Sequence, residues 1–182
     1  MAINRIAIRR FIGICRPRVW ASFVACGRSR LSSAVVADRI VVHKEERELL
    51  LVAGGKTLKR YQIALGGNPR GHKTQEGDQR TPEGMYRIAG RNPRSAYHLS
   101  LRISYPNEED RMQAAHRSIS PGGDIMIHGL PNGFGWIGRL HRLVDWTAGC
   151  IAVTDSEIEE IWRAIPDGTP VEIKPCAAWK AP

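Results

Sequence analysis

The chain has 182 residues, with 27 Lys and Arg against 18 Asp and Glu, so its formal net charge is +9. This length suits one domain with a substantial hydrophobic core. The charge is unevenly distributed, because residues 1–37 contain seven Arg and no acidic residue, which leaves only +2 for the rest of the chain. A near-neutral globular part argues against nucleic acid as a partner.

Residues 1–37 are predicted to be a basic leader, separate from a domain at 38–182. Their arginines surround a short apolar run at 19–26, which is too short to span a bilayer as a helix. The pattern favours an export signal. Lipid attachment at Cys26 and signal-peptidase cleavage at the small residues 34–37 both fit. The alternatives are an uncleaved basic tail and a mis-set start codon. We therefore expect a protein of the periplasm or cell envelope.

After the leader, short apolar and alternating runs separated by turn residues are typical of β-strands. The predicted strands are residues 39–43, 47–52, 56–65, 85–89, 97–105, 124–127, 150–153 and 169–174. Between the third and fourth of them, residues 66–83 form a polar segment with four Gly and two Pro. A loop of that length inside a small domain is usually functional or disordered.

Two helices are predicted, and each has a clear beginning. Asn107 is a good N-cap and is followed by three acidic residues, which favour a helix over 107–117. Thr154 and Glu157 have the spacing of a capping box. A core-facing stripe then follows at helical spacing, made of Ile158, Ile161, Trp162 and Ile165. The sequence thus predicts a mostly β fold, a mixed β sandwich or barrel-like sheet with two or three peripheral helices.

Two chemically interesting residues lie at strand ends. The strand at 124–127 runs into His128, and Cys150 opens the next apolar run. If the two strands are neighbours, the imidazole can accept the thiol proton and lower the pKa of the thiol. Gly149 is predicted to leave room for a substrate carbonyl, and the N–H groups of Gly149 and Cys150 are predicted to form an oxyanion hole.

The alternative is that His128 is a packed imidazole and Cys150 a buried thiol. The composition between them, with Gly133, Gly135 and Gly138, instead favours a substrate-facing loop. We expect His141, in the same segment, to lie at the surface. The histidines lack metal-ligand spacing, and the chain has neither a P-loop nor a dinucleotide fingerprint, so neither a metal nor a cofactor is predicted.

The ordered motifs resemble a known family. His128-Gly129, a glycine-rich gap and Thr147-Ala148-Gly149-Cys150 are similar to the YkuD-type L,D-transpeptidase domain of bacterial cell-wall enzymes, and Thr81-Pro82-Glu83-Gly84 is similar to its T-P-x-G element. The resemblance covers about residues 40–174 and is strongest to the YafK-like branch, which carries DWTxGCIAVT. Ala148 stands where most members have His, and Ala152 stands where Arg or Asn is usual.

The resemblance implies acyl transfer on peptidoglycan stem peptides, with Cys150 as nucleophile and His128 as proton acceptor and donor. It also implies that the backbone carbonyl of Gly129 orients the imidazole. A hydrolase with the same site, acting as carboxypeptidase, endopeptidase or amidase, is one alternative, and a non-catalytic wall-binding module is another.

The expected partners follow from the same resemblance. Stem peptides are the expected partner, and a wall-linked lipoprotein is a second candidate. Contact with a membrane is expected only through the leader or a lipid anchor, and the chain is expected to be a monomer. A disulfide between Cys150 and Cys176 would mask the nucleophile, so both thiols are expected to be unpaired.

Overall fold

The computed structural model describes residues 31–32 and 34–176, and one mixed eight-stranded sheet dominates it. The strand order is β3-β2-β1-β8-β4-β5-β6-β7. The prediction of a mostly β fold is confirmed. The predicted signal features at residues 1–30, including Cys26, lie outside the described residues. The strands are β1 (Arg39–His43), β2 (Glu48–Ala53), β3 (Lys56–Gln62), β4 (Gly84–Ser95), β5 (His98–Ile103), β6 (Met126–His128), β7 (Ile151–Ala152) and β8 (Pro170–Lys174).

Both predicted helices are present with their predicted caps. Helix α1 (Glu108–His116) begins at Asn107, whose side chain accepts from the N–H of Asp110 at 2.9 Å while the Asp110 carboxylate accepts from the N–H of Asn107 at 2.9 Å. Helix α2 (Asp155–Ala164) begins with the capping box of Thr154 and Glu157. These local contacts satisfy N–H groups that a helix end otherwise leaves without partners.

The main hydrophobic core lies between the sheet and α2, which packs on β5 and β6. The predicted stripe of α2 faces this core: three of its side chains are fully buried and Trp162 is partly buried. The buried side chains from the strands are mainly Ile, Leu and Val, including Ile40, Leu49, Leu51, Ile88, Leu101, Ile127 and Val171. Burial of these side chains is the main favourable contribution to folding.

Strand β4 is longer than the predicted 85–89. Its first part pairs antiparallel with β8, and its continuation pairs with β5 through two irregularities of register, after Ile88 and after Asn92. Pro93 lies within the second irregularity, where regular hydrogen bonding between the strands is interrupted and the N–H that proline lacks is not needed. The extension therefore depends on partner strands, which local sequence does not report.

The folded unit includes Ala37, one residue before the predicted domain boundary. Ala37 is buried, its N–H donates to the carbonyl of Ala164 at 2.8 Å, and Leu31 packs against the same core. Among the residues described, no helix is long and apolar enough to cross a membrane.

Candidate active site

The two predicted chemical residues lie on neighbouring parallel strands, and the register puts Cys150 level with Met126, two residues before His128. Strand β6 pairs in parallel with β7, with Ile127 opposite Ile151 and His128 opposite Ala152. His128 therefore ends β6, and Cys150 immediately precedes β7. Two reciprocal hydrogen bonds of 2.9 Å between Ala64 and Ala152 hold the other side of β7. The neighbouring strands on which the proposed pair depends are thus present.

His128 is held in one orientation by its own backbone neighbour. The ring is 3% exposed, and its Nδ1 lies 2.6 Å from the carbonyl oxygen of Gly129. Because a carbonyl only accepts, Nδ1 carries the proton and Nε2 is left as the basic nitrogen. Burial lowers the pKa of His128, against the opposing effect of the Gly129 carbonyl. The ring is therefore neutral at neutral pH, and the contact predicted for Gly129 is present.

Two aromatic side chains pack against the His128 ring. The Tyr97 ring centroid lies 4.5 Å away, and the Trp146 ring stands edge-on at 5.9 Å. The ring centroids of Tyr97 and Trp146 lie 6.3 Å apart. The sequence analysis did not identify either residue, although the Asp-Trp-Thr run before the cysteine offered a signal for Trp146.

The Cys150 thiol is partly exposed and makes its hydrogen bond away from the imidazole. Its Sγ lies 3.6 Å from the carbonyl oxygen of Asp124. Burial raises the pKa of Cys150, while a hydrogen bond from the N–H of Met126 acts in the opposite direction. The expectation that His128 lowers this pKa is therefore wrong for this structure. Burial thus favours the neutral form of both the thiol and the imidazole.

Gly149 is required by packing rather than by room for a substrate. Its φ is +130°, and a Cβ there would lie 2.5 Å from the carbonyl oxygen of Arg80 and 3.1 Å from Cδ1 of Ile125. Its N–H donates to Oγ1 of Thr147 at 3.1 Å. In this structure the protein itself fills the space on the Cβ side of Gly149, and the N–H group of Gly149 has an internal partner. The oxyanion role predicted for the N–H groups of Gly149 and Cys150 stays a prediction.

Thr147 fixes the turn that leads into the cysteine. Its hydroxyl donates to the carbonyl of Cys150 at 2.7 Å, and its N–H donates to the carbonyl of Leu65 at 3.1 Å. Its own carbonyl accepts from the N–H of Gly67 at 3.0 Å. Just before it, Asp145 pairs with Arg47 at 2.8 Å. The turn is thus tied to the segment after β3 and, through Asp145, to the turn between β1 and β2.

The polar segment at 66–83 is an ordered wall beside this turn, held by a buried lysine. The Lys44 side chain is fully buried, and its Nζ donates at 2.8 Å each to the carbonyls of Gly71 and Thr81 and to Oε1 of Glu83. The sequence analysis did not identify Lys44, because a lysine in a strand-connecting turn is normally solvated.

A second tie joins the same segment to α1. Nδ1 of His72 accepts from the N–H of Glu83 at 3.0 Å, and its Nε2 lies 3.0 Å from Oδ1 of Asp110. Together with the Arg80 carbonyl under Gly149, these contacts put the Thr-Pro-Glu-Gly element beside the turn that leads into Cys150.

The glycine-rich gap contains a 3-10 segment, Gly135–Leu143, which is interrupted at Gly138 where φ is +52°. A cavity of about 270 Å³ lies between this segment and Trp146. The cavity is almost entirely apolar and is lined by Leu130, Pro131, Phe134, Ile137, Leu140, His141, Val144 and Trp146.

His141 lines that cavity and is 7% exposed, so the prediction of a surface position is wrong. Burial lowers its pKa to about 4, so the ring is neutral at neutral pH. Neither ring nitrogen has a hydrogen-bond partner within the described part of the chain. The error arises because the neighbouring residues of the segment are exposed, and only the folded path of the chain turns this ring inward.

Cys150 and Cys176 are both free thiols, as predicted. Across residues 31–32 and 34–176, no group of three or more His, Cys, Asp and Glu side chains is arranged to hold a metal ion. The chemical groups of the cleft are therefore a thiol, an imidazole, backbone amides and aromatic walls.

Residues 37–173 match the YkuD family, which is described as the L,D-transpeptidase catalytic domain. The chain belongs to this family. It is 31% identical over 133 residues to the Escherichia coli (strain K12) protein named "Putative L,D-transpeptidase YafK", covering 69% of this chain and 46% of that protein. The chain thus spans a little under half the length of this YafK relative.

Two solved structures share the YkuD fold seen here. The helical cell shape determining protein Pgp2 of Campylobacter jejuni aligns with a TM-score of 0.59 at 23% identity, covering 87% of this chain and 55% of Pgp2. Bd1075 of Bdellovibrio bacteriovorus aligns with a TM-score of 0.52 at 24% identity, covering 79% of this chain and 50% of Bd1075. At these identities the likeness concerns the fold.

Proposed function

We propose that this domain is a cysteine acyltransferase that acts on peptidoglycan stem peptides, with Cys150 as nucleophile and His128 as general base. The observation that carries the proposal is the parallel pairing of β6 and β7, which makes Cys150 a diagonal neighbour of His128, level with Met126 two residues before it. The bond from Nδ1 of His128 to Gly129 adds to it, because it leaves Nε2 as the proton acceptor. Membership of the YkuD family supports stem peptides as the class of substrate.

The first half-reaction forms a thioester. Cys150 Sγ attacks the carbonyl carbon of the scissile amide as its proton moves to Nε2 of His128. Burial disfavours charge on both side chains, so proton transfer accompanies the attack and does not precede it. The N–H of Cys150 donates to the developing oxyanion. His128 then returns the proton to the leaving amine, and the acyl group remains on sulfur.

The second half-reaction uses the same groups in reverse. An acceptor amine or a water molecule loses a proton to His128 and attacks the thioester carbonyl, and the thiol leaves with that proton. An amine gives transpeptidation, whereas water gives hydrolysis. The acceptor, not the machinery around Cys150, separates these two outcomes. Since stem peptides lie outside the cytoplasmic membrane, the proposal includes a location in the cell envelope.

The experiment is incubation with purified muropeptides, followed by mass spectrometry of the products. Wild type should convert tetrapeptide stems to cross-linked, exchanged or shortened products, and Cys150→Ser should lose nearly all turnover because a hydroxyl is much harder to ionise than a thiol. Cys176→Ser is the matched control and should keep wild-type turnover. Muropeptides that bind and return unchanged with wild type would indicate a wall-binding module and overturn the proposal.

A further inference from the structure

One face of the 3-10 segment carries an unusual concentration of exposed apolar side chains. Leu143 is 80% exposed and Trp136 is 79% exposed, although both are large hydrophobic residues. We name the group of five such residues in this segment and its flanks the apolar ridge: Phe134, Trp136, Leu140, Leu143 and Val144. Exposed apolar clusters of this kind mark surfaces that contact another phase or molecule.

The charge around the apolar ridge is positive. Residues 125–144 contain two Arg and no Asp or Glu, and Arg139 is exposed in the middle of the ridge. The acidic residues that follow are already engaged within the fold: Asp145 pairs with Arg47, Asp155 accepts from the N–H of Leu130, and Glu157 pairs with Arg142. The face therefore presents apolar side chains and a cation, without a competing carboxylate from its own segment.

We propose that the apolar ridge docks on an anionic lipid bilayer, with its side chains in the interfacial region and Arg139 facing the lipid headgroups. A short segment with Trp, Phe and Leu on one face and Arg beside them is the usual composition of a surface-lying membrane contact. A cation at the bilayer surface is attracted by anionic headgroups.

The composition of the ridge favours lipid over the other candidate occupants. Three of its five side chains are aliphatic, whereas a platform for sugar rings would need aromatic faces. Leu and Val are also under-represented among the side chains that dominate protein–protein affinity. In interfacial membrane segments, by contrast, aliphatic residues beside Trp are the inserting groups.

Docking in this way would orient the cleft. The ridge residues Phe134, Leu140 and Val144 also line the cavity that ends at Trp146, and the Trp146 ring contacts His128. The active-site cleft would then lie close to the bilayer surface. The inference does not depend on the acyltransferase proposal, since Cys150 is not part of the ridge.

The test is vesicle binding by the full chain, using vesicles of phosphatidylcholine alone and of phosphatidylcholine mixed with phosphatidylglycerol. Trp136→Ser combined with Leu143→Ser should weaken binding to the mixed vesicles at least about tenfold. Met85→Ser combined with Met112→Ser, which changes two other exposed apolar residues, should bind like wild type. Arg139→Gln should reduce the preference for the anionic vesicles about fivefold.

A second readout separates the ridge from the basic leader, which every variant retains. Brominated acyl chains should quench the fluorescence of Trp136, measured as the difference between wild type and Trp136→Phe. Equal binding by all variants together with no quenching of Trp136 would overturn the proposal and assign binding to the leader. Ridge-dependent self-association or binding to isolated cell walls, with unchanged vesicle binding, would overturn it equally. Cys150→Ala should keep vesicle binding, so failure of this proposal and failure of the acyltransferase proposal are distinguishable.

Discussion

His128 and Cys150 are both uncharged at neutral pH because burial opposes charge on each side chain. Burial lowers the pKa of the imidazole and raises that of the thiol. A preformed thiolate–imidazolium pair would require the opposite shifts. Burial therefore favours a thiol that loses its proton as it reacts.

This state of the thiol predicts a pH profile for alkylation. A raised pKa means a smaller thiolate fraction at neutral pH, so iodoacetamide should modify Cys150 slowly at pH 7. The rate should keep rising above pH 8.5, the approximate pKa of a free cysteine. Peptide mapping by mass spectrometry separates Cys150 from the other cysteines. A rate that reaches its plateau near pH 7 would contradict the neutral pair.

The second prediction at this scale concerns the stability lost when Gly149 is replaced. Gly149→Ala combines a positive φ with a close approach to the Arg80 carbonyl. Gly77→Ala is the matched control, since Gly77 also has a positive φ, +79°, but nothing lies within 4 Å of its Cβ position. The control should lose about 1 kcal/mol in free energy of unfolding, and Gly149→Ala about 2 kcal/mol more. Urea unfolding measures both, and equal losses would show that the Arg80 contact is unimportant.

Elements with a local cause were predictable from the sequence, whereas contacts between elements were not. The caps at Asn107 and Thr154 and the stripe of α2 depend on residues three or four positions apart, so their patterns are visible in the chain. The length of β4 depends on β5 and β8. The burial of His141 and the close approach of Gly149 to the Arg80 carbonyl depend on how distant segments meet. The correct predictions and the corrections thus differ in the sequence separation of the contacts involved.

Lys44 is the clearest case of a long-range contact that holds an element in place. It joins the turn between β1 and β2 to the segment at 66–83 through three acceptors. Lys44→Met would leave those acceptors, including the Glu83 carboxylate, without the ammonium. The expected loss is about 3 kcal/mol in free energy of unfolding, with faster amide hydrogen exchange across 66–83. Lys56→Met, at an exposed strand position, should change neither quantity. If Lys44→Met also left the free energy of unfolding and the hydrogen exchange unchanged, this role of Lys44 would be wrong.

Across the whole domain, three carboxyl groups that are buried or partly buried link stability to pH. Burial by itself raises the pKa of Asp78, Asp110 and Glu157, but hydrogen bonds outweigh it and lower each pKa: from Lys73 to Asp78, from His72 to Asp110 and from Arg142 to Glu157. A folded-state pKa below the unfolded value of about 4 gives stability that is present above pH 4 and is lost as pH falls through the folded value.

Acid titration of the thermal midpoint should therefore show a steep decrease below about pH 4. Asp110→Asn should lower the midpoint at pH 7, because it removes the charged partner of His72 and a member of the α1 capping box. The difference from wild type should shrink as pH falls. Glu108→Gln, at an exposed position of the same helical turn, is the control. A difference that stayed constant from pH 7 to pH 2 would show that the charge of Asp110 contributes nothing.

The account as a whole depends on a covalent intermediate at Cys150. Wild-type protein mixed with a tetrapeptide stem and quenched early should show, by intact mass, one adduct equal to the substrate less its leaving amine, and peptide mapping should locate it on Cys150. Cys150→Ala should show no adduct, and His128→Gln should form it far more slowly while remaining folded. An adduct that persists in Cys150→Ala, or turnover of the stem peptide by that variant, would contradict the account.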